Sequence, residues 1–152
     1  MIDAILCFLG VSQRQPAAIS VAIIQGWNLS RVKDRMHNKR GLSRDYLNTL
    51  EGEYKKYLSL CVETPNVCLT LSEPVDDMLH EHMLFTEDFL AFQKAIGHRF
   101  RHNPTLTKEE AFALKDDYQE RTIGGLTRRF GSANPQFWPP NAPICWGKLI
   151  PA

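Results

Sequence analysis

Residues 43–61 read SRDYLNTLEGEYKKYLSLC. Tyr46, Leu47, Leu50, Tyr54, Tyr57, Leu58 and Cys61 recur at helical spacing and form one continuous apolar stripe along the segment. Ser43 stands where a helix N-cap belongs, because a serine oxygen can accept from a free amide of the first turn. At this spacing the tyrosines read as core and rim residues rather than ligand contacts. A long helix with one apolar stripe must bury it against other elements, so the fold is expected to be mainly α.

Working outward, Pro16 suits the opening of a helix that runs to about His37, with Ile19, Ile23, Ile24, Trp27 and Met36 at helical spacing and Gly26 weakening its middle. Pro65 breaks the long helix, and Val67 to Leu71 reads as an isolated extended segment, since one short run does not make a sheet. Pro74 suits the first turn of a third helix. Thr86 with Glu87 and Asp88 reads as the cap and acidic first turn of a fourth, ending near Gly97. Thr107 and Glu110 form a T-x-x-E capping box, so a fifth helix runs from Lys108 towards Thr122, where Gly124 and Gly125 interrupt it. A short helical piece around Leu126 to Phe130 follows. From Gly131 onward lie five of the nine prolines, interleaved with Phe137, Trp138 and Trp146. That tail is read as irregular chain wrapped over the helices and covering a pocket. The expectation is a single domain, 1–152: a compact bundle of about five helices with an irregular tail over 131–152.

Bulk properties agree with a globular chain. At 152 residues it is long enough to bury a core without a disulfide or metal. Hydrophobic content of 43% and charged content of 23% are ordinary. A net charge of +1 argues against broad attraction to nucleic acid or membrane. Six basic residues between Arg31 and Asp45 face only two acids, and read either as a solvated helix end or as a site for an anionic partner. Cys7, Cys61, Cys68 and Cys145 form no C-x-x-C pair. Met1 to Val11 is apolar but short and carries Asp3, so neither a secretory signal nor a membrane span is expected. The thiols are expected to be reduced and the protein cytoplasmic.

Candidate chemistry concentrates between Val75 and Pro104, which holds four of the five histidines: His80, His82, His98 and His102. On a helix of about 100° per residue, Val75, Met78, Leu79, His82 and Met83 share one face. Asp76 and His80, at i and i+4, lie together on its flank. His80 and His82 are roughly 200° apart and cannot meet at one ion through a regular helix. Asp76 and His80 suit two ligands, or a carboxylate orienting an imidazole. His82 is either a hydrogen-bonded core histidine or a direct member of a polar pocket. His98 and His102 leave a helix for a turn, and read either as partners of the helix C-terminus or as further ligands. Asp with two or three His is a ligand set for zinc or iron.

The pattern Val75-Asp76-x-x-Leu79-His80-x-His82-Met83-Leu84-x-Thr86, then Phe89-x-x-Phe92, Gly97 and Arg101-His102-Asn103-Pro104, resembles the hallmark of the glycine-rich domain-containing protein family. That hallmark reads approximately V-D-x-x-W-H-x-H-I-L-x-T-x-x-Y-x-x-F, followed by F-G-x-x-x-H-H-x-P. Thr122, Leu126, Phe130-Gly131 and the Pro135 to Trp138 stretch are similar to the family's next helix and closing W-P region. This chain has Leu79 in place of Trp, Phe89 in place of Tyr and Arg101 in place of the first His of the pair. The resemblance implies Asp76, His80, His82 and His102 as the site and leaves His98 peripheral. It implies no reaction.

Two functions fit these residues. In one, Asp76, His80 and His102, with or without His82, hold a divalent metal (Zn or Fe) or act as general acid and base on a small molecule. Arg99 and Arg101 would then orient an anionic group, and an enzyme of a biosynthetic pathway acting on a small carbonyl compound is the expectation. In the other, the same side chains form a structural hydrogen-bond network in a non-catalytic binding or scaffold protein. No basic helical face with interleaved aromatics is present, so nucleic-acid binding is not expected. A G-x-S-x-G elbow, a P-loop and a dinucleotide fingerprint are also absent.

Overall fold

A computed structural model describes residues 15–65, 67–103, 107–140 and 145–151. The segment Met1 to Val11, Cys7, Pro104 and Pro143 lie outside the described residues. The fold is mainly helical, as expected. Among the described residues, no helix is long and apolar enough to cross a membrane.

The centre is α3 (Arg44–Glu63). Its predicted cap is present, with the Tyr46 amide donating to Ser43 Oγ at 3.1 Å. Leu47, Leu50, Tyr54, Tyr57, Leu58 and Cys61 are all buried, and so are Leu60 and Val62 on adjoining faces. Before it come α1 (Ala17–Gly26) and α2 (Ser30–Arg40), where the sequence suggested one helix to His37. The break has a local cause. Gly26 is a weak helix former, Trp27 is extended, and Asn28 Oδ1 accepts from the Ser30 amide at 2.9 Å to start the second helix. The carbonyls of Gln25 and Trp27 accept from Lys55 Nζ at 3.0 and 2.8 Å, while Glu51 neutralises that ammonium.

After α3, a short strand β1 (Leu69–Leu71) leads into α4 (Glu73–Leu84), with Pro74 in its first turn. Phe85 alone joins α4 to α5 (Thr86–Ile96), so Thr86 is the first helical residue and not the cap. Gly97, at φ 70°, ends α5 in the left-handed conformation and the chain passes directly into β2 (His98–Asn103). The expected turn at 98–103 is therefore a strand. The tail expectation holds in part. Residues 131–140 are irregular, but β3 (Cys145–Pro151) is a strand lying between β1 and β2 in a three-stranded antiparallel sheet. In its register Leu71 faces Cys145 and His102 faces Gly147. Leu69 to Leu71, within the segment read as isolated and extended, thus belong to a sheet whose next strand is far away in sequence.

The Thr107–Glu110 capping box forms with both hydrogen bonds and opens α6 (Lys108–Ala113). A single turn, α7 (Lys115–Asp117), a π-helical segment (Tyr118–Ile123) and α8 (Gly124–Phe130) then follow without a gap. Gly124 and Gly125 do not interrupt this run. A Cβ on Gly125 would lie 2.9 Å from Leu60 Cδ2, so the glycine lets α8 approach α3 closely. Thr122 Oγ1 donates to the Thr70 carbonyl at 3.0 Å and ties the π segment to β1. Gly52, mid-helix in α3, has nothing within 4 Å of its would-be Cβ. Gly52→Ala is expected to stabilise the protein by about 0.5–1 kcal/mol through helix propensity. Gly125→Ala is expected to gain less than Gly52→Ala or to lose stability, because the Leu60 side chain must give way to the new methyl. Urea midpoints of the two variants check the pair, and equal shifts would refute the close approach.

Phe137 and Trp138 close the core over α3. Phe137 packs on Tyr46 (ring centroids 5.1 Å) and Trp138 on Tyr57 (6.0 Å), while Trp138 Nε1 donates to buried Glu53 at 2.9 Å. Ser72 Oγ, at the N-cap position of α4, donates to the Phe137 carbonyl rather than capping the helix.

Candidate metal centre

On α4 the i, i+4 spacing brings Asp76 and His80 side by side, with His80 Nδ1 3.3 Å from Asp76 Oδ2. Strand β2 supplies the third member. Side chains alternate along a strand: His98, Phe100 and His102 share the covered face, and Arg99 and Arg101 point outward and are exposed. His102 Nε2 lies 3.1 Å from Asp76 Oδ1 and 3.0 Å from His80 Nε2. The two imidazoles meet edge to face, 5.0 Å between centroids. The Phe100 amide donates to Gln93 Oε1 at 2.8 Å, which fixes the start of β2 against α5.

Burial within the triad is uneven. The Asp76 side chain is 8% exposed and that of His102 5%, whereas His80 is 43% exposed. A buried carboxylate and a buried imidazole are thus fixed from behind, with His80 at the open edge. Among the described residues, Asp76, His80 and His102 form the one group of three that offers ligand atoms all within 4.8 Å of one another. Metal–ligand bonds of about 2.0–2.2 Å place neighbouring ligand atoms roughly 2.8–3.6 Å apart in octahedral or tetrahedral geometry. The separations of 3.0 and 3.1 Å about His102 Nε2 fall in that interval. The donor set fits a divalent ion held by Asp76 Oδ1, His80 Nε2 and His102 Nε2.

His82 is not part of this cluster, contrary to the ligand set that the sequence suggested. It faces the opposite side of α4, fully buried, and the rings of Phe89 and Phe92 lie 4.9 and 5.2 Å away. Its Nε2 donates to Asp88 Oδ2 at 3.0 Å, because an ionised carboxylate only accepts. The Tyr54 hydroxyl therefore donates to His82 Nδ1 (3.0 Å), and Trp27 Nε1 donates to the same Asp88 oxygen (3.0 Å). Burial lowers the His82 pKa more than Asp88 raises it, so the ring is held neutral around pH 7. This chain joins α1's end, α3, α4 and α5 and leaves none of its polar groups unsatisfied. Asp88 was legible only as a first-turn acid, and the spacing alone could not couple it to Tyr54 or Trp27.

The remaining histidine of the segment, His98, is buried and donates from Nδ1 to the Ile96 carbonyl at 2.9 Å, away from the triad. Arg99 and Arg101 lie on the opposite face of β2 from His102, so the expectation that they orient a substrate beside it is corrected by the alternation of the strand. The basic stretch before Asp45 is largely paired: Arg35 with Glu81, Arg40 with Asp77, Arg44 with Asp34 and Lys33 with Glu51. The chain matches no family model, no curated protein and no solved structure.

Proposed function

We propose that Asp76, His80 and His102 bind one divalent metal ion, zinc or ferrous iron, and that the centre serves an enzyme acting on a small molecule. The observation that carries this reading is the convergence of two imidazole nitrogens, 3.0 Å apart, with a buried carboxylate touching both rings. Two-histidine, one-carboxylate sets with open positions suit zinc hydrolytic and non-haem iron chemistry. When bound, the ion would act as a Lewis acid towards an oxygen of the substrate. Asp76 lies against both rings, His102 is buried on the covered face of β2, and the exposed edge of His80 leaves access for a substrate and for proton transfer. A small carbonyl compound of a biosynthetic pathway suits such a centre, and the free thiols of Cys61 and Cys68 suit a reducing, cytoplasmic setting. The motif resembling that of the glycine-rich domain-containing family implied Asp76, His80, His82 and His102, three of which form this triad, and on that motif we infer a divergent relationship.

One observation favours a non-catalytic reading. His102 Nε2–H can be shared between Asp76 Oδ1 and His80 Nε2, so the three side chains hold one another without an ion. Cobalt substitution separates the two. The Co(II) form is expected to show visible d–d bands that shift on adding azide, because an open coordination position accepts the anion. Co(II) bands indifferent to azide would leave a closed, structural ion. No Co(II) bands at all would leave the hydrogen-bond network.

A further inference from the structure

A cleft of about 480 Å³ lies between the C-terminal turns of α3, the approach to β1, and the π segment with α8. Leu60, Val67, Leu69 and Gly125 give it an apolar floor, and Arg121 and Arg128 stand at its edge. Its size falls within the ~300–1,000 Å³ of small-molecule sites. None of its lining residues belongs to the metal centre.

The cleft is built by features that otherwise cost helix stability. Arg121, Gly125 and Arg128 follow i, i+4, i+7 and share one face of the run from the π segment into α8. Two adjacent glycines inside a helix are each unfavourable by roughly 1 kcal/mol relative to alanine. Gly125 lets Leu60 form the floor, and Gly124 seats the Arg128 guanidinium, whose Nη1 would lie 3.1 Å from a Cβ there. π segments within helices recur at functional sites, and this one is tied to β1 through Thr122.

The charges on the cleft are weakly countered. No acidic residue lines it. Glu63, the nearest acid on α3, is taken by Arg129 through two contacts of 2.9 Å and does not neutralise Arg128. Among the described residues, Arg128 makes one long hydrogen bond, 3.4 Å to the Glu120 carbonyl, and Arg121 one exposed ion pair, 3.6 Å to Asp117. Thr64 Oγ1 gives its proton to the Leu60 carbonyl at 2.7 Å, so the side-chain donors left to the cleft are the two guanidiniums and the Cys68 thiol.

From these observations we infer that this cleft binds an amphipathic anion, with its apolar body over Leu60, Val67 and Leu69 and its carboxylate or phosphate head on Arg121 and Arg128. Planar guanidiniums suit either head through paired hydrogen bonds. Cys68 lies in the cleft as a free thiol and reports on occupancy, whereas Cys61 is buried with its thiol pushed up to about 12.

The test uses decanoate, decyl phosphate and the neutral decanol as probes of the full-length protein. Binding is read by calorimetry and by the rate of Cys68 alkylation, followed by peptide mass mapping. Decanoate or decyl phosphate is expected to saturate one site and slow Cys68 alkylation at least about fivefold, and the tighter of the two identifies the head group. Arg128→Gln is expected to weaken that binding at least about tenfold, with the circular dichroism spectrum and Tm unchanged. Decanol binding as tightly as both anions, no protection of Cys68 by either anion, or full affinity in Arg128→Gln would each overturn the assignment. Lys39→Gln, exposed on α2 and outside the cleft, is the control and should bind like the parent.

Discussion

Asp76→Asn is expected to weaken metal binding at least about 100-fold while leaving the fold intact. The substitution keeps the side-chain shape, so α4 and its packing are preserved. It removes the charge that offsets the ion and replaces one acceptor oxygen by an NH₂ group, which cannot ligate. Loss of an outer partner of a metal ligand already costs about 10–100-fold in affinity, and Asp76 is placed as a ligand itself. His102→Ala should lose binding to a similar degree. His82→Gln should keep it, because His82 belongs to the separate chain with Tyr54, Asp88 and Trp27. Zinc titrations of the three variants beside the parent give the comparison. Full affinity in Asp76→Asn, or loss in His82→Gln with the fold retained, would move the centre elsewhere.

The second large effect concerns stability. Trp138→Ala is expected to destabilise the protein by about 3–5 kcal/mol, the usual cost of emptying a buried tryptophan site. The ring is almost fully buried against Tyr57, and its Nε1 satisfies Glu53, whose other partner is Lys56 at 3.0 Å. Removing the indole leaves both a cavity and a buried carboxylate short of a donor. Trp138→Phe should cost less, about 1–3 kcal/mol, since most of the apolar volume remains. Equilibrium urea unfolding measures both. A loss below about 1 kcal/mol in Trp138→Ala would mean that 137–138 does not close the core.

Local chemistry made much of this fold legible in the sequence. The stripe on α3, the Ser43 cap, Pro74 in the first turn of α4 and the Thr107–Glu110 box all act within a few residues, and each is present. The i, i+4 pairing of Asp76 with His80 is equally local and was readable. The sheet was not. β3 joins β1 and β2 across a long sequence separation, and Val67 to Leu71 alone carries no sign of its partner. That sheet explains both outcomes on β2. It brings His102 to Asp76, and by alternation it turns Arg99 and Arg101 away. The Gly124–Gly125 pair misled for a related reason: a tertiary approach to Leu60 overrides the low helix propensity of glycine.

The most direct test is the metal content of protein purified without an affinity tag, incubated with zinc and passed through a desalting column, compared with His80→Ala treated identically. About one equivalent of zinc should remain with the parent and none with the variant, and the bound ion should raise the unfolding midpoint of the parent alone. Parent protein that is folded yet leaves the column free of zinc, or a variant that retains the full equivalent, would contradict a metal centre at Asp76, His80 and His102.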